Sequence, residues 1–351
     1  MRIGIICHDA FPIVEPFQGG LEMITALLVQ ELVERGHEVT SLCLKGSKLS
    51  GKMLYYHSTE NLENNVNEDL TYLGSVSKSL IGFLAEDFQV IQNHSLHYQP
   101  ILFGNITSTN FVTTFHTPVF PYLNLAINSV AENVNQIFVG VSKSVSRLYE
   151  ETLPRVSTIY NGIDLSLWEV EYEEISKYFS WSGRICKEKG LAQIMELCIQ
   201  ANLNLKIAGP ISNPTYFETQ IEPLLKLDNF EYVGHLNQSE LNTLIKHSEA
   251  YFFSSIWDEP YGLVIAEALA CGVPVLANAV GAAPEILDEN SGCLFNIEQP
   301  SSFNSGLKSV KKISRQDCRK RAEDFCGHHK MVDDYEALYK SFDVPHLEIV
   351  K

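Results

Sequence analysis

No apolar run in the 351-residue chain approaches the roughly 18 residues that a membrane-crossing helix requires, which excludes a conventional membrane span from the reading. The opening Met1–Cys7 stretch is too short for the core of a secretory signal, and no small-residue cleavage site follows it. A soluble protein retained in the cytoplasm is expected. Eight cysteines are present, but none are spaced as C-x-x-C and most lie among apolar neighbours, so reduced thiols are expected rather than a disulfide framework. Positive charge is scarce: 26 Lys and Arg stand against 43 Asp and Glu, a net charge of −17. Nucleic acid and anionic membrane surfaces are therefore poor general partners, although a local pocket of a few Arg or Lys residues still suits a phosphate. No D-x-D sequence and no His/Cys cluster with zinc spacing occurs, so no dedicated metal site is expected. G-x-G-x-x-G is absent too, which argues against a nicotinamide-binding enzyme. Internal repeats and low-complexity tracts are missing.

Hydrophobic residues at 45% and charged residues at 20% are the values of a globular chain, and the length suits two domains that each bury a core. Short Val/Ile/Phe-rich runs alternate with amphipathic helix-length segments: Arg2–Cys7, Gly20–Arg35, Glu38–Leu44, with Gly36-His37 as the stop between the last two. Further strands are predicted at Gln89–Asn93, Phe111–Phe115, Gln136–Val141 and Ser157–Tyr160, and Ser47–Gly74 reads as polar loop. The pattern halts near Asn161-Gly162-Ile163-Asp164 and crosses an acidic stretch to Lys177. It restarts at Tyr178-Phe179-Ser180-Trp181, then runs through Leu205–Ala208, Phe230–Val233, Ala250–Ser254, Pro274–Ala277 and Gly292–Phe295. After Pro300 only helices are predicted, the last at about Met331–Phe342, with Tyr335, Leu338 and Tyr339 at helical spacing. The fold expected is α/β with two Rossmann-like doubly wound domains. Their boundaries fall at 1–165 and 166–325, with 326–351 a C-terminal helix crossing back onto the first domain.

The segment with the most chemistry runs from Ser254 to Pro274 and reads strand, loop, helix, stop. Its helix is apolar on every side except at Glu267 and ends at Gly272 and Pro274. A carboxylate on a buried helix costs several kcal/mol unless it meets a donor, so Glu267 must face a partner or a wet site. Vicinal ribose hydroxyls would supply two donors. Glu259 precedes the helix, in the loop leaving a strand's C-terminal end, where open α/β sheets bind ligands. Gly262 lets backbone N–H groups approach an anion at the helix start. A purely structural alternative stays open, in which Glu259 caps the helix and Glu267 pairs with an Arg or Lys of the other domain.

Glu259-Pro-Tyr-Gly-Leu-Val-Ile-Ala-Glu267 resembles the E-x7-E signature of retaining glycosyltransferases, in particular glycosyltransferase family 4 of the GT-B fold. Asn161-Gly-Ile-Asp164, Gly183-Arg184 with Lys189-Gly190, Ile207-Ala-Gly209-Pro210 and Gly281-Ala-Ala-Pro-Glu285 are similar to that family in order and spacing, so the resemblance covers nearly the whole chain. It implies a GT-B architecture with a cleft between the domains and C-terminal helices. It also implies metal-independent transfer of a sugar from a nucleotide-diphosphate sugar, UDP- or GDP-linked, to an acceptor hydroxyl, with no cofactor besides that co-substrate.

The resemblance assigns donor contacts to Gly19, Gly20, Gly183, Arg184, Lys189, Gly209, Glu259, Tyr261, Gly262, Leu263 and Glu267. Arg184 and Lys189 would neutralise the diphosphate, which suits their place at a turn opened by Gly183. His116, ending Phe111-Val-Thr-Thr-Phe115, matches the family's T-x-H position, where the imidazole contacts the transferred sugar. The catalytic set implied is thus His116, Glu259, Arg184 and Lys189. His94 and Ser142 fit positions near the acceptor, although His94 also reads as a surface residue and Ser142 equally as a helix N-cap.

Departures from the family are the Ala282-Ala283 pair before Pro284-Glu285, where a second glycine is usual, and the short acidic linker Leu165 to Lys177. A soluble acceptor is favoured by the acidic balance, with Lys45, Lys48 and Lys52 as one small basic loop. The competing readings are a non-catalytic nucleotide-sugar-binding subunit and a sugar-nucleotide epimerase on the same fold. The epimerase would need further acid/base carboxylates, and no such set stands out.

Overall fold

The computed structural model describes residues 1–57, 68–130, 135–153 and 155–342. The chain divides into two compact units, residues 1–160 with 331–351, and residues 161–330.

In the first unit seven strands form one sheet: β1 (Arg2–Ile6), β2 (Glu38–Cys43), β3 (Lys52–Tyr55), β4 (Val90–Asn93), β5 (Asn110–Phe115), β6 (Gln136–Gly140) and β7 (Val156–Thr158). Their order is β3-β2-β1-β4-β5-β6-β7, and every neighbouring pair is parallel. Parallel strands covered on both faces must be apolar along their length rather than alternating. Accordingly Ile3, Ile5, Ile6, Val90, Phe111, Val112, Phe138 and Val139 are all buried. The helix Gly20–Glu34 turns Ile24, Leu28, Val29 and Leu32 inward at three- and four-residue spacing.

One sequence expectation fails here. Ser47–Gly74, read as loop, contains β3 and the start of the helix Glu68–Leu84, while residues 58–67 lie outside the described residues. β3 is an edge strand of four residues, half-buried and lacking β-branched side chains, so its local signal is weak. Pairing with β2 supplies what the sequence does not advertise.

The end of the last helix, His328–Ser341, belongs to this unit. Tyr335 Oη lies 2.9 Å from Thr114 Oγ1, and Tyr339 Oη donates to Gln92 Oε1 at 3.0 Å. Both tyrosines are fully buried, so the hydroxyls need these partners as much as the rings need the apolar contact. On the rim Arg35 pairs with Asp333 at 2.6 Å and His37 Nε2 meets Glu336 at 2.8 Å.

The second unit holds six parallel strands: β8 (Phe179–Ser182), β9 (Leu205–Ala208), β10 (Phe230–Gly234), β11 (Tyr251–Phe253), β12 (Val275–Asn278) and β13 (Gly292–Phe295). Their order is β10-β9-β8-β11-β12-β13, which reverses between β8 and β11. The helix Leu263–Ala270 buries Ile265, Ala266, Ala268, Leu269 and Ala270, each of the larger side chains contributing about 1.5–3 kcal/mol. Two arginines staple this unit: Arg315 donates to the carbonyls of Glu171 and Lys246, and Arg319 to those of Trp168 and Ala270. They tie the acidic linker to the helices around it.

Candidate active site

In an open parallel sheet the strand order reverses at a point where two crossover connections diverge, and the loops there leave a crevice beyond the strands' C-terminal ends. In the second unit that point lies between β8 and β11. The loops that follow carry Gly183-Arg184 and Ser254–Gly262.

Tyr251 of β11 anchors the end of β8. Its buried hydroxyl donates to Ser182 O at 2.9 Å and accepts the Ser182 N–H at 3.0 Å. Burial pushes this phenol far above its ordinary value, and Glu267 and Glu259 both lie within electrostatic reach of it. The two glutamates of the motif thus share one neighbourhood.

They are held differently. The Glu259 carboxylate accepts Lys189 Nζ at 2.7 Å on each oxygen, and on Oε2 it also accepts Trp257 Nε1 at 2.8 Å. Ser255 Oγ stands 3.1 Å from the same Oε2. Glu267 is buried, and no hydrogen bond or ion pair to its carboxylate is found among the described residues. Burial alone raises its pKa to about 7. Of the structural alternative, the capping part fails: the helix N-cap is Gly262, and Glu259 is paired with Lys189 instead.

Lys189 is therefore committed to Glu259, whereas the guanidinium of Arg184 is half-exposed and has only a 3.9 Å approach to Glu188. Tyr261 is buried with its hydroxyl toward the Cys326 thiol, so its ring is core. Gly262 is the N-cap of the helix that Leu263 opens. Gly183 and Gly209 end adjacent strands so closely that a Cβ on Gly209 would lie 1.9 Å from Gly183 O. Gly190 is similarly confined, with Ser254 O 2.0 Å from where its Cβ would be. Neither site accepts a side chain without moving backbone, and both have positive φ, +136° and +66°.

In the first unit the order reverses between β1 and β4, and the strand ends there carry histidines. His8, after β1, accepts the Ala10 N–H on Nδ1 at 3.2 Å, which places the ring proton on Nε2, 3.0 Å from Glu22 Oε1. Burial pushes the Glu22 pKa up, but hydrogen bonds from His8 and from the backbone N–H groups of Glu22 and Gly19 outweigh it and hold it below its ordinary value. The Gly19-Gly20 turn is thus filled by the chain's own Glu22 carboxylate. Sequence reasoning missed the His8–Glu22 pair; the signal available was a histidine one residue past the first strand and an acid in the first turn of the first helix.

His94 Nδ1 and His116 Nε2 are 2.8 Å apart. His94 is fully buried rather than a surface residue, and His94 Nε2 has no partner among the described residues. Only one proton fits between the rings, so charging both would set N–H against N–H. Burial lowers the His94 pKa to about 3 and drives that of His116 well below its ordinary value, with His94 and His8 adding to the latter. The ring C–H resonances of His94 and His116 are accordingly expected to stay unshifted between pH 8 and pH 5 in NMR. Movement of either would overturn the neutral pair. Ser142 is the N-cap of the helix Lys143–Arg147, accepting the Val145 N–H at 3.1 Å, and is fully buried.

Two parallel, doubly wound units in one chain, each with polar residues gathered at the strand ends of its reversal point, make up the GT-B fold. Residues 18–167 match the family described as Glycosyltransferase Family 4 and residues 168–325 that described as Glycosyl transferases group 1; the chain belongs to this family-4 type of glycosyltransferase. Among curated relatives, the Spore coat protein SA of Bacillus subtilis (strain 168) is 22% identical, with 97% of this chain and 99% of the relative covered. Of solved structures, sucrose-phosphate synthase from Thermosynechococcus elongatus superposes with a TM-score of 0.79 at 16% identity, over 97% of this chain and 99% of that one. Anabaena HepE in complex with UDP and glucose gives 0.75 at 17% identity, over 97% and 100%.

Proposed function

We propose that this glycosyltransferase is a retaining, metal-independent enzyme that takes a sugar from a nucleoside-diphosphate donor, UDP- or GDP-linked, and passes it to an acceptor hydroxyl. The observation that carries the reading is Glu267: a buried carboxylate without a protein partner in its unit, beside a strand-end loop and in the same unit as an uncommitted arginine. Two vicinal ribose hydroxyls would satisfy that carboxylate, and Arg184 would meet the diphosphate with a planar fork of donors. HepE, solved with UDP and with UDP-glucose, supports a uridine donor by analogy of fold.

The first unit is proposed to handle the acceptor, with His116 contacting the transferred sugar and His94 fixing the His116 ring. In this reading no side chain acts as a strong base. Charge stabilisation and positioning lower the barrier, and the donor's own phosphate oxygen assists removal of the acceptor proton. Because Lys189 is tied to Glu259, its charge serves the site through that pair, and Arg184 carries most of the direct contact with phosphate. A soluble acceptor and a cytoplasmic location complete the proposal. Among the described residues no helix is long and apolar enough to cross a membrane.

The test is slow hydrolysis of the donor followed by proton NMR in EDTA. Retention of an α-linked donor predicts the α anomer of the free sugar as the first product, at a rate EDTA leaves unchanged. A β anomer appearing first, or activity abolished by EDTA and restored by a divalent cation, would contradict it.

A further inference from the structure

The carboxylate of Glu259 has two oxygens with room for about four hydrogen bonds. Oε2 takes Lys189 Nζ at 2.7 Å and Trp257 Nε1 at 2.8 Å, with Ser255 Oγ close behind at 3.1 Å, so it has no position left for a ligand. Oε1 takes Lys189 Nζ at 2.7 Å and has no other partner among the described residues. Ser255 Oγ is a shared donor, since it lies 3.1 Å from Glu259 Oε2 but also 3.3 Å from Glu188 O and 3.4 Å from Trp257 O, and it has one proton to give. The indole N–H has no such choice: it donates only, and Glu259 is its acceptor. The backbone behind the carboxylate is fixed as well, because Glu259 O accepts the Ala282 N–H at 3.1 Å.

We propose that Trp257 is a positioning residue for the donor sugar: its indole N–H, with the Lys189 ammonium, turns the Glu259 carboxylate so that a single lone pair on Oε1 remains for one sugar hydroxyl. Lysine alone would not do this. A rotatable ammonium centred on both oxygens leaves the carboxylate plane free to rock, and a rigid ring bonded to one oxygen removes that freedom. The arrangement makes Glu259 a one-bond reader of hydroxyl position, so it sets which sugars the site holds and leaves the nucleotide to other residues. A site built to bond a substrate hydroxyl rejects analogues that lack it far more strongly than an apolar pocket does. The inference rests on the proposed donor reading and adds the residue that orients its sugar contact.

Calorimetric titration of the full chain with matched pairs separates the two ideas: UDP against UDP-glucose, GDP against GDP-mannose and ADP against ADP-glucose, on the wild type, on Trp257→Phe and on Ser255→Ala. The pair that binds the wild type most tightly is carried forward. Trp257→Phe is expected to keep nucleotide affinity within about two-fold while nucleotide-sugar affinity falls roughly ten-fold, the loss of one hydrogen bond to a charged group. Ser255→Ala, which removes the shared donor, is expected to show the same selective loss at smaller size. A Trp257→His variant, which restores a ring N–H, should recover part of the difference. A parallel fall in both affinities, or an unchanged ratio between them, would overturn the positioning role. Should Trp257→Phe fail to fold, the ratio measured for Ser255→Ala and Trp257→His decides in the same way. If no pair binds the wild type, the donor reading itself fails, and this inference with it.

Discussion

Glu267→Gln is expected to make the protein more stable at pH 8 and worse at binding its donor. Folding places this carboxyl in a buried site that raises its pKa from an ordinary value of 4.5 to about 7. Below about pH 4.5 the acid is protonated in both folded and unfolded chains and costs nothing. Between these values the unfolded chain ionises first, so stability falls as pH rises, and above about pH 7 the full penalty of roughly 3 kcal/mol is present. Glutamine removes the charge and keeps the shape, so its advantage should grow from near zero at pH 4.5 to about 3 kcal/mol at pH 8. The check is denaturant unfolding of both proteins across that range. The same change should weaken nucleotide-sugar binding roughly 10- to 100-fold, because charge-assisted hydrogen bonds to the ligand are lost. A variant that tracks the wild type in stability at both pH values would show that Glu267 has a partner in the folded protein. Stability given up at a site where a ligand restores it is the signature of function rather than of folding.

Gly209→Ala should be far more damaging than its one added methyl suggests. The new Cβ would stand 1.9 Å from Gly183 O, and the φ of +136° is one that alanine avoids. Relief requires β8 and β9 to part at the ends where the donor loops begin. A loss of about 4 kcal/mol is expected, read as disappearance of the second unit's cooperative unfolding transition or of soluble protein, with donor binding gone as well. A melting temperature within a few degrees of the wild type would mean that the strand ends are not so closely packed.

Most of the sheet was legible in the sequence because parallel strands buried on both faces leave unbroken apolar runs. Arg2–Cys7, Gln136–Val141 and Pro274–Ala277 lie within a residue of the strands found. β3 escaped because an edge strand of four residues owes its existence to a neighbour and not to its own composition. Glu267 was legible for a physical reason too, since an acid on an otherwise apolar helix is conspicuous, and Glu259 by its place in the strand-end loop before that helix. The sequence did not reveal how each would be held. Lys189 and Glu259 are 70 positions apart, and only the fold shows that the two charges meet. Likewise Trp257 reads as a loop aromatic until its indole is seen on Glu259, and His94 as a surface ring until it is found buried against His116. Short-range pattern reports burial and strand ends well. Long-range pairing, which decides the role of a charged side chain, is not written in it.

The most direct measurement is a thermal-shift screen of UDP-, GDP-, ADP- and dTDP-sugars on the full chain, with and without EDTA, repeated on Glu267→Gln. The account predicts that one nucleotide class raises the melting temperature of the wild type, that EDTA makes no difference, and that the rise largely vanishes in the variant. Absence of any rise at millimolar nucleotide sugar, or a rise of equal size in Glu267→Gln, would contradict it.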